Sequence, residues 1–319
     1  MRVLRTALTL YLYVAVKIEF VISDTRKYLP LKLAAASTSL VEIALPTIAP
    51  MQPLKPRIHA EVGRYRLRLA ESVEEREAAC RLRFRVFNIE LNEGLAGSYG
   101  TGLDEDRFDS ICEHLIVEDK LERNPARRIV GTYRLQSGST AARNLGYYSE
   151  REFNFASYEP LRPGILELGR ASIDREHRTP EVLTLLWRGI AQYACEMGLR
   201  YLIGCSSLTS TDPAEGWQVY RQLERYRVSP EFATEPTAEY ACPIEQAGAD
   251  AESSPLTSDQ PDRSFKVPKL LKTYLAIGAR ICGAPAWDRE FGTIDFLTLL
   301  DLRLLSPSAH NRFLEPLHS

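Results

Sequence analysis

The stretch "ILELGRASID", residues 165–174, decides how this chain is read. It has the length and apolar content of a buried strand, yet it carries a carboxylate and a guanidinium three positions apart with a glycine between them. Strand side chains alternate, so Ile165, Glu167, Gly169, Ala171 and Ile173 belong to one face and Leu166, Leu168, Arg170 and Ser172 to the other. A strictly regular strand would therefore keep Glu167 and Arg170 apart. An interior glycine marks a bulge or a close backbone approach, and a bulge re-aims one side chain. The expectation is a bulge at Gly169, with Glu167 turned into a site while Arg170 organises the opposite side. A plain buried ion pair is the alternative.

Outward from this strand the pattern is a mixture of strands and helices. On the N-terminal side, "RYRLRLA" (64–70) alternates as a first strand, and Ser72 with Glu75 forms a capping box for a helix through "EEREAACRLRFRVFN" (74–88). The glycine- and acid-rich "NEGLAGSYGTGLDEDRFDS" (92–110) reads as a loop, and "HLIVED" (114–119) and "RRIVGTYRLQ" (127–136) as strands joined by a turn at "NPAR". Residues 141–163 are irregular. On the C-terminal side, Val182, Leu186, Ile190, Tyr193 and Met197 recur at helical spacing with Gly198 as the cap. "YLIGCSS" (201–207) is a strand, and Asp212 and Pro213 open a helix over "AEGWQVYRQLERY" (214–226). A polar tract at 245–264 reads as a flexible excursion. "VPKLLKTYLAIGARIC" (267–282) is then a helix with Gly283 after it, and "TIDFLTLLDL" (293–302) a final strand. This order predicts one mixed α/β (α+β) sheet flanked by helices.

The chain has 319 residues and a formal net charge of -2, so nothing global points to nucleic acid. Its six cysteines contain no C-x-x-C pair and its five histidines no ligand spacing, which predicts reduced thiols, a cytoplasmic protein and no metal. The N-terminus "MRVLRTALTLYLYVAV" (1–16) has a basic start and a short apolar run, followed by the small-residue "LAAAS" (33–37) and the proline-rich "LPTIAPMQPLKP" (45–56). An export signal, a membrane-surface anchor and an untranslated stretch upstream of a true start at Met51 all fit. The last is preferred because domain signals begin only at Tyr65. Residues 1–60 are therefore read as an extension and 61–319 as the domain, with 265–319 adding a C-terminal helix and strand.

The set "LRFRVFN" (82–88), "LDEDRFDSICEHL" (103–115), "VGTYRL" (130–135) and "ELGRASI" (167–173) resembles the acyl-homoserine-lactone synthases and their relatives in the GNAT acyltransferase superfamily. Two features depart from the lactone synthases: no tryptophan follows "RVFN", and a long C-terminal part is appended. That part, with "LLWRGIAQY" (185–193) and "YLIGCSS", is similar to the ornithine-acyl-carrier-protein N-acyltransferases, often labelled hemolysin-like. The resemblance implies a GNAT-like, mostly antiparallel sheet. It implies transfer of a (3-hydroxy)acyl chain from acyl carrier protein to the α-amine of ornithine, giving lyso-ornithine lipid, with no bound cofactor and the acyl-carrier-protein thioester as donor. The rival readings are an N-acyl amino acid synthase with another acceptor, a lactone synthase, and a silent acyl-binding or membrane-interaction module.

Thioester aminolysis needs a neutral amine, a site for the developing oxyanion and a proton for the leaving thiolate. Under the resemblance, Glu167 is the base and Tyr220 the acid that protonates the thiol, while core packing is the plain alternative for the tyrosine. Asp104, Asp106 and Asp109 would hold the cationic acceptor, with a solvated turn as the alternative. Arg83, Arg85, Arg134 and Arg170 match the family's arginines and would pair with those aspartates or with the acceptor carboxylate. His114 and Cys205 read as structural. Acyl carrier protein is acidic, so Arg175, Arg178, Arg188, Lys266, Lys269 and Lys272 are candidates for its docking face. A weak contact with the inner membrane face would suit a lipid product.

Overall fold

A computed structural model describes residues 56–243 and 267–314. The expectations for the first fifty residues and for the tract at 245–264 lie outside the described residues, as does Lys266. The ordered chain begins earlier than Tyr65. Strand β1 (His59–Val62) pairs antiparallel with β2 (Tyr65–Leu69) across a tight turn whose Gly63 has φ +55°. Only glycine adopts that conformation without a Cβ penalty, and β1 was missed because "HAEV" is short and largely uncovered.

Helix α1 (Val73–Phe84) comes next, its N-terminus capped as expected by Ser72, whose hydroxyl accepts the Glu75 N–H at 3.3 Å. The helix widens into a π-helical stretch at Arg85–Leu91. Strands β3 (Glu113–Asp119) and β4 (Ile129–Ser137), the short helix α2 (Gly138–Arg143) and β5 (Ile165–Ile173) succeed it. Helix α3 (Pro180–Glu196) ends at Gly198 in the left-handed region, and leads to β6 (Tyr201–Leu208). Helix α4 (Pro213–Gln222) has Asp212 and Pro213 in their expected capping places. The late helix α5 (Lys269–Ile277) stops at Gly278, φ +116°, five residues before the glycine expected to close it. Beyond it the chain forms a short strand β7 (Arg280–Ile281), then β8 (Ala286–Asp288), β9 (Thr293–Asp301) and a last helix α6 (Pro307–Leu314).

The sheet runs β1-β2-β3-β4-β5-β6-β9-β7, with β8 also paired to β9. Every neighbour is antiparallel except β5 and β6. It is the mixed sheet that the order of elements predicts, and it is mostly antiparallel, as the resemblance implies. The final strand is no appendage: β9 lies inside the sheet, bonded along its length to β6. One face is covered by α3 and α6, where Leu115, Leu135, Leu166, Leu186 and Ile190 are buried together. Burying side chains of this kind is worth about 1.5–3 kcal/mol each. On the other face Ile165, Ile203, Leu297 and Leu299 pack against Phe153, Phe155 and Tyr158 from the connection between α2 and β5.

Two irregularities in β5 place the site. Pairing with β4 shifts between Thr132 and Arg134, so Arg170 and Ala171 together oppose Tyr133. The bulge is therefore one residue later than expected, and Arg170, not Gly169, takes the left-handed φ of +51°. A left-handed arginine costs about 1–3 kcal/mol, which the surrounding ion pairs must offset. The second irregularity is the parallel pairing of β5 with β6, which ends at Glu167 opposite Ile203. The backbones come close at Gly204, where a Cβ would lie 2.3 Å from the Leu168 carbonyl oxygen. Gly204→Ala is expected to force the strands apart and to destabilise by about 1–3 kcal/mol, read from the urea midpoint. An unchanged midpoint would mean that the backbone yields there without cost.

Candidate active site

The bulge changes the parity of β5. Up to Gly169, the residues at 165, 167 and 169 share the face of Phe153, while Leu166 and Leu168 pack toward α3. Beyond the bulge Ala171 and Ile173 pack toward α3, so Arg170 turns to the face of Glu167. Both side chains thus belong to one site, and the expectation that Arg170 organises the opposite side is corrected. They line a cavity of about 610 Å³. A smaller pocket of about 70 Å³ shares Tyr133, Leu168, Ala171 and Leu270 with it and runs between the splayed strands to Trp187, Tyr274 and Leu300.

Glu167 is buried, and its carboxylate accepts the backbone N–H groups of Tyr148 and Ser149, both at 2.8 Å. It thereby caps the first turn of the segment Tyr148–Arg151. Burial raises its pKa, against the pull of those hydrogen bonds and of Arg134. A buried carboxyl in a cavity wall, its pKa raised by burial, is a stronger base than an ordinary surface carboxylate and is suited to accept a proton.

The three aspartates of the acidic loop are already matched by arginines. Arg83 forks onto Asp109 at 2.7 and 2.9 Å and reaches Asp104 at 2.8 Å, and all three side chains are fully buried. Arg134 bonds Asp106 at 2.7 Å, and Arg170 lies 3.4 Å from Asp104 and 3.3 Å from Asp106. Burial pushes the Asp109 carboxyl up, but the Arg83 fork and the Arg134 charge outweigh it and hold the group well below the usual range. Asp106 is held low in the same way by Arg134 and Arg170. Three cations thus balance three anions beneath the site, and Arg83, Asp104 and Asp109 do not reach the cavity. The expectation that this loop meets a cationic acceptor directly is replaced by a buried framework that carries Arg134 and Arg170 into the cavity wall. His114 belongs to it: its Nε2 is 3.0 Å from the Asp109 carbonyl oxygen, and burial lowers its pKa to about 4, so it is neutral at pH 7.

Other expected residues are dispersed. Tyr220 does not line the cavity; it lies beneath the Arg227 guanidinium, 4.1 Å from its ring centroid, and packs with Trp217. Its helix is held on the far end of the sheet by Val219 against the core of Ile294 and Phe296, which removes the expected acid from the chemistry. Arg85 pairs with Asp174 at 3.4 Å, away from the cavity. Of the expected docking residues that are described, Arg178 and Lys269 line the cavity. Arg178 forks onto Glu90 at 2.6 and 2.7 Å. Arg175 is exposed on the turn after β5, Arg188 donates to the Arg312 carbonyl at 3.0 Å, and Lys272 is exposed on α5.

Sequence reasoning missed Tyr148, Ser149, Glu152, Asp288 and Asp295, which also line the cavity. The arginines at 134 and 170 stack over the Tyr148 ring at 5.2 and 5.1 Å. One signal was available: an aspartate inside the otherwise apolar "TIDFLTLL" is a charge in a central strand, and buried charges are seldom without a task.

An acetyltransferase (GNAT) domain model matches residues 82–188, the span from α1 into α3. The chain is 33% identical over 245 residues to an L-ornithine N(alpha)-acyltransferase of Rhizobium meliloti, covering 75% of this chain and 80% of that protein. The chain belongs to the L-ornithine N(alpha)-acyltransferase family. An enzyme of the same name from Brucella abortus is 32% identical to this acyltransferase over 256 residues, 78% of this chain and 88% of that one. Among solved structures, FeeM, an N-acyl amino acid synthase from uncultured soil microbes, is 12% identical with a TM-score of 0.44, over 76% of this acyltransferase and 95% of that chain. Among the described residues of the acyltransferase, no helix is long and apolar enough to cross a membrane.

Proposed function

We propose that this protein transfers a 3-hydroxyacyl chain from acyl carrier protein to the α-amine of ornithine, giving lyso-ornithine lipid in the cytoplasm. The observation that carries this reading is a single cavity, in a member of this family, that joins a buried acid at Glu167 to an apolar pocket between splayed strands. The acyl chain enters along Val86, Phe87, Leu168, Leu183 and Leu271, where burying each methylene is worth about 0.8 kcal/mol. The acceptor carboxylate meets Arg170, which lines the cavity and whose own carboxylate contacts are long, 3.4 Å to Asp104 and 3.3 Å to Asp106.

An α-amine titrates near pH 8, so Glu167 can draw its proton at modest cost. That first proton is released from Glu167 to solvent, the nitrogen bonds the thioester carbon, and as the C–S bond breaks the second N–H proton passes through Glu167 to the departing sulfur. Amide and free thiol are the products. The oxyanion is met by backbone N–H groups at the Arg170–Ala171 bulge, beside which β5 has no ladder partner on the β6 side. Arg178, Lys269 and the exposed Arg175 offer the basic rim for an acidic carrier. This reading predicts a new 3-hydroxyacyl-ornithine species by lipid mass spectrometry in cells expressing the protein. With the purified enzyme, acyl carrier protein should serve as donor and acyl-CoA poorly. Acylation of a different amino acid would overturn the acceptor, and preference for acyl-CoA the donor.

A further inference from the structure

Two groups of carboxylates face the Arg170 side of the sheet, and they differ in kind. Asp104, Asp106 and Asp109 are each satisfied by arginine. Glu152, Asp288 and Asp295 are not: among the described residues none of them forms a salt bridge, and the groups acting on Glu152 are Asp295, Asp288 and the Cys205 thiol. All three are buried and all three line the cavity. Asp288 is spoken for in part, since its Oδ1 accepts the N–H groups of Glu290 and Phe291 at 2.8 and 3.0 Å.

Asp295 and Thr293 are 5% and 3% exposed, and although Ser207, Thr293 and Glu152 lie near the Asp295 carboxyl, among the described residues neither Asp295 Oδ1 nor Thr293 Oγ1 is matched by a well-formed hydrogen bond. A buried polar atom without a partner is costly and rare in a native fold, so this end of the cavity is built for something that donates hydrogen bonds. We propose that Glu152, Asp288 and Asp295 form the pocket for the side-chain ammonium of a diamino-acid acceptor, with Asp295 Oδ1 and Thr293 Oγ1 as its direct acceptors. The inference rests on the acyl transfer proposed above and names what selects the acceptor.

The geometry supports it. Ser149 links the two ends of the cavity: its N–H donates to Glu167 at 2.8 Å, while its hydroxyl lies 3.4 Å from the Cys205 thiol, which is 3.5 Å from Glu152. The α-amine at Glu167 and a second amine on a short methylene chain can therefore occupy one cavity together. An ammonium carries three N–H donors and no acceptor, which matches a wall of oxygen acceptors. Without a cation these like charges cannot all be ionised, and burial, reinforced by Asp288 and only partly opposed by Ser207, Thr293 and Glu152, pushes Asp295 up to about 6. A bound ammonium replaces the retained proton. It also stays protonated itself, so it is no nucleophile, and acylation is confined to the α-amine. Glu152, Cys205 and Asp295 place their ligand atoms within 4.8 Å of one another, so a divalent metal is the competing occupant.

The test compares ornithine with norvaline, which has the same carbon skeleton and no side-chain amine. In the wild type kcat/KM should favour ornithine by about 10²-fold or more, because norvaline leaves the acceptors unpaired. In Asp295→Asn that ratio should fall at least tenfold, ornithine losing more than norvaline, and Glu152→Gln should move it in the same direction. Without donor, ornithine should raise the Tm of the wild type more than norvaline does, and this difference should vanish in Asp295→Asn. Equal losses for both amino acids, or an unmoved ratio, would overturn the pocket. A Tm rise with Zn²⁺ that EDTA reverses, with no difference between ornithine and norvaline, would assign the site to metal. A protein that shows the ornithine-specific Tm rise yet acylates another amine would keep the pocket and overturn the proposed reaction.

Discussion

Glu167→Gln is expected to lower kcat by about 10²–10⁴-fold, the usual contribution of a positioned base. The substitution preserves shape and burial, so the cavity persists. What it removes is the proton acceptor, together with one of the two oxygens that hold the Tyr148 and Ser149 N–H groups. The second loss matters for the design of the measurement. A glutamine NH₂ set against a backbone N–H would loosen the loop at a cost of about 1–3 kcal/mol, and a damaged loop could lower activity on its own. The pH profile separates the two causes. With Glu167 as base, wild-type kcat/KM rises with pH along a limb set by a carboxyl whose pKa burial has raised. In the glutamine variant that limb should disappear. A variant that keeps the limb while KM rises and stability falls would mark Glu167 as a positioning residue that caps the loop.

Arg83→Met is expected to destabilise the fold by about 3–5 kcal/mol, the cost of leaving buried charge without its partner. Asp104 and Asp109 are fully buried, and the methionine fills much of the volume while supplying none of the three carboxylate hydrogen bonds that Arg83 makes to them, nor its bond to the Asp104 carbonyl. The sign of the pH effect is set by Asp109. Its pKa is depressed in the folded state, so its contribution is present above the unfolded value of about 3.9 and is lost as pH falls through the folded value. In Arg83→Met that depression is largely gone. The difference in urea midpoint between wild type and variant should then be widest near pH 7 and shrink as pH falls through the carboxylate range. Adding Asp109→Asn to Arg83→Met should recover part of the lost stability. A constant difference at all pH values would point to lost packing alone.

How much of the site was legible depends on how local its cause is. Glu167 and Arg170 were legible as a pair, because an acid and a base inside an apolar strand contradict alternation and require an irregularity. The position of that irregularity was not. A glycine at 169 offered itself as the bulge, yet the arginine at 170 took the left-handed backbone, since the ion pairs to Asp104 and Asp106 lie on that side. Tyr220 was plausible on helical pattern alone, yet it does not line the cavity, because the packing of α4 against Ile294 and Phe296 is set by residues distant in the chain. Asp295 stood in plain sight within β9, but nothing local announced that β9 would insert between β6 and β7 and bring it to Cys205 and Glu152.

The sequence by itself determined the alternation of strands and helices, most of their caps, the mixed sheet and, through its motifs, the kind of chemistry. These rest on periodicity and on backbone groups satisfied within a few residues. Only the tertiary structure decided which aspartates are neutralised and which are not. Asp104 and Asp109 are silent because Arg83 lies 21 and 26 positions away in the chain yet within hydrogen-bond reach. Glu152 and Asp295 stand without a cation because, among the described residues, no basic side chain forms a salt bridge with them. Charge pairing is set by distances through space, and those exist only once the sheet has closed.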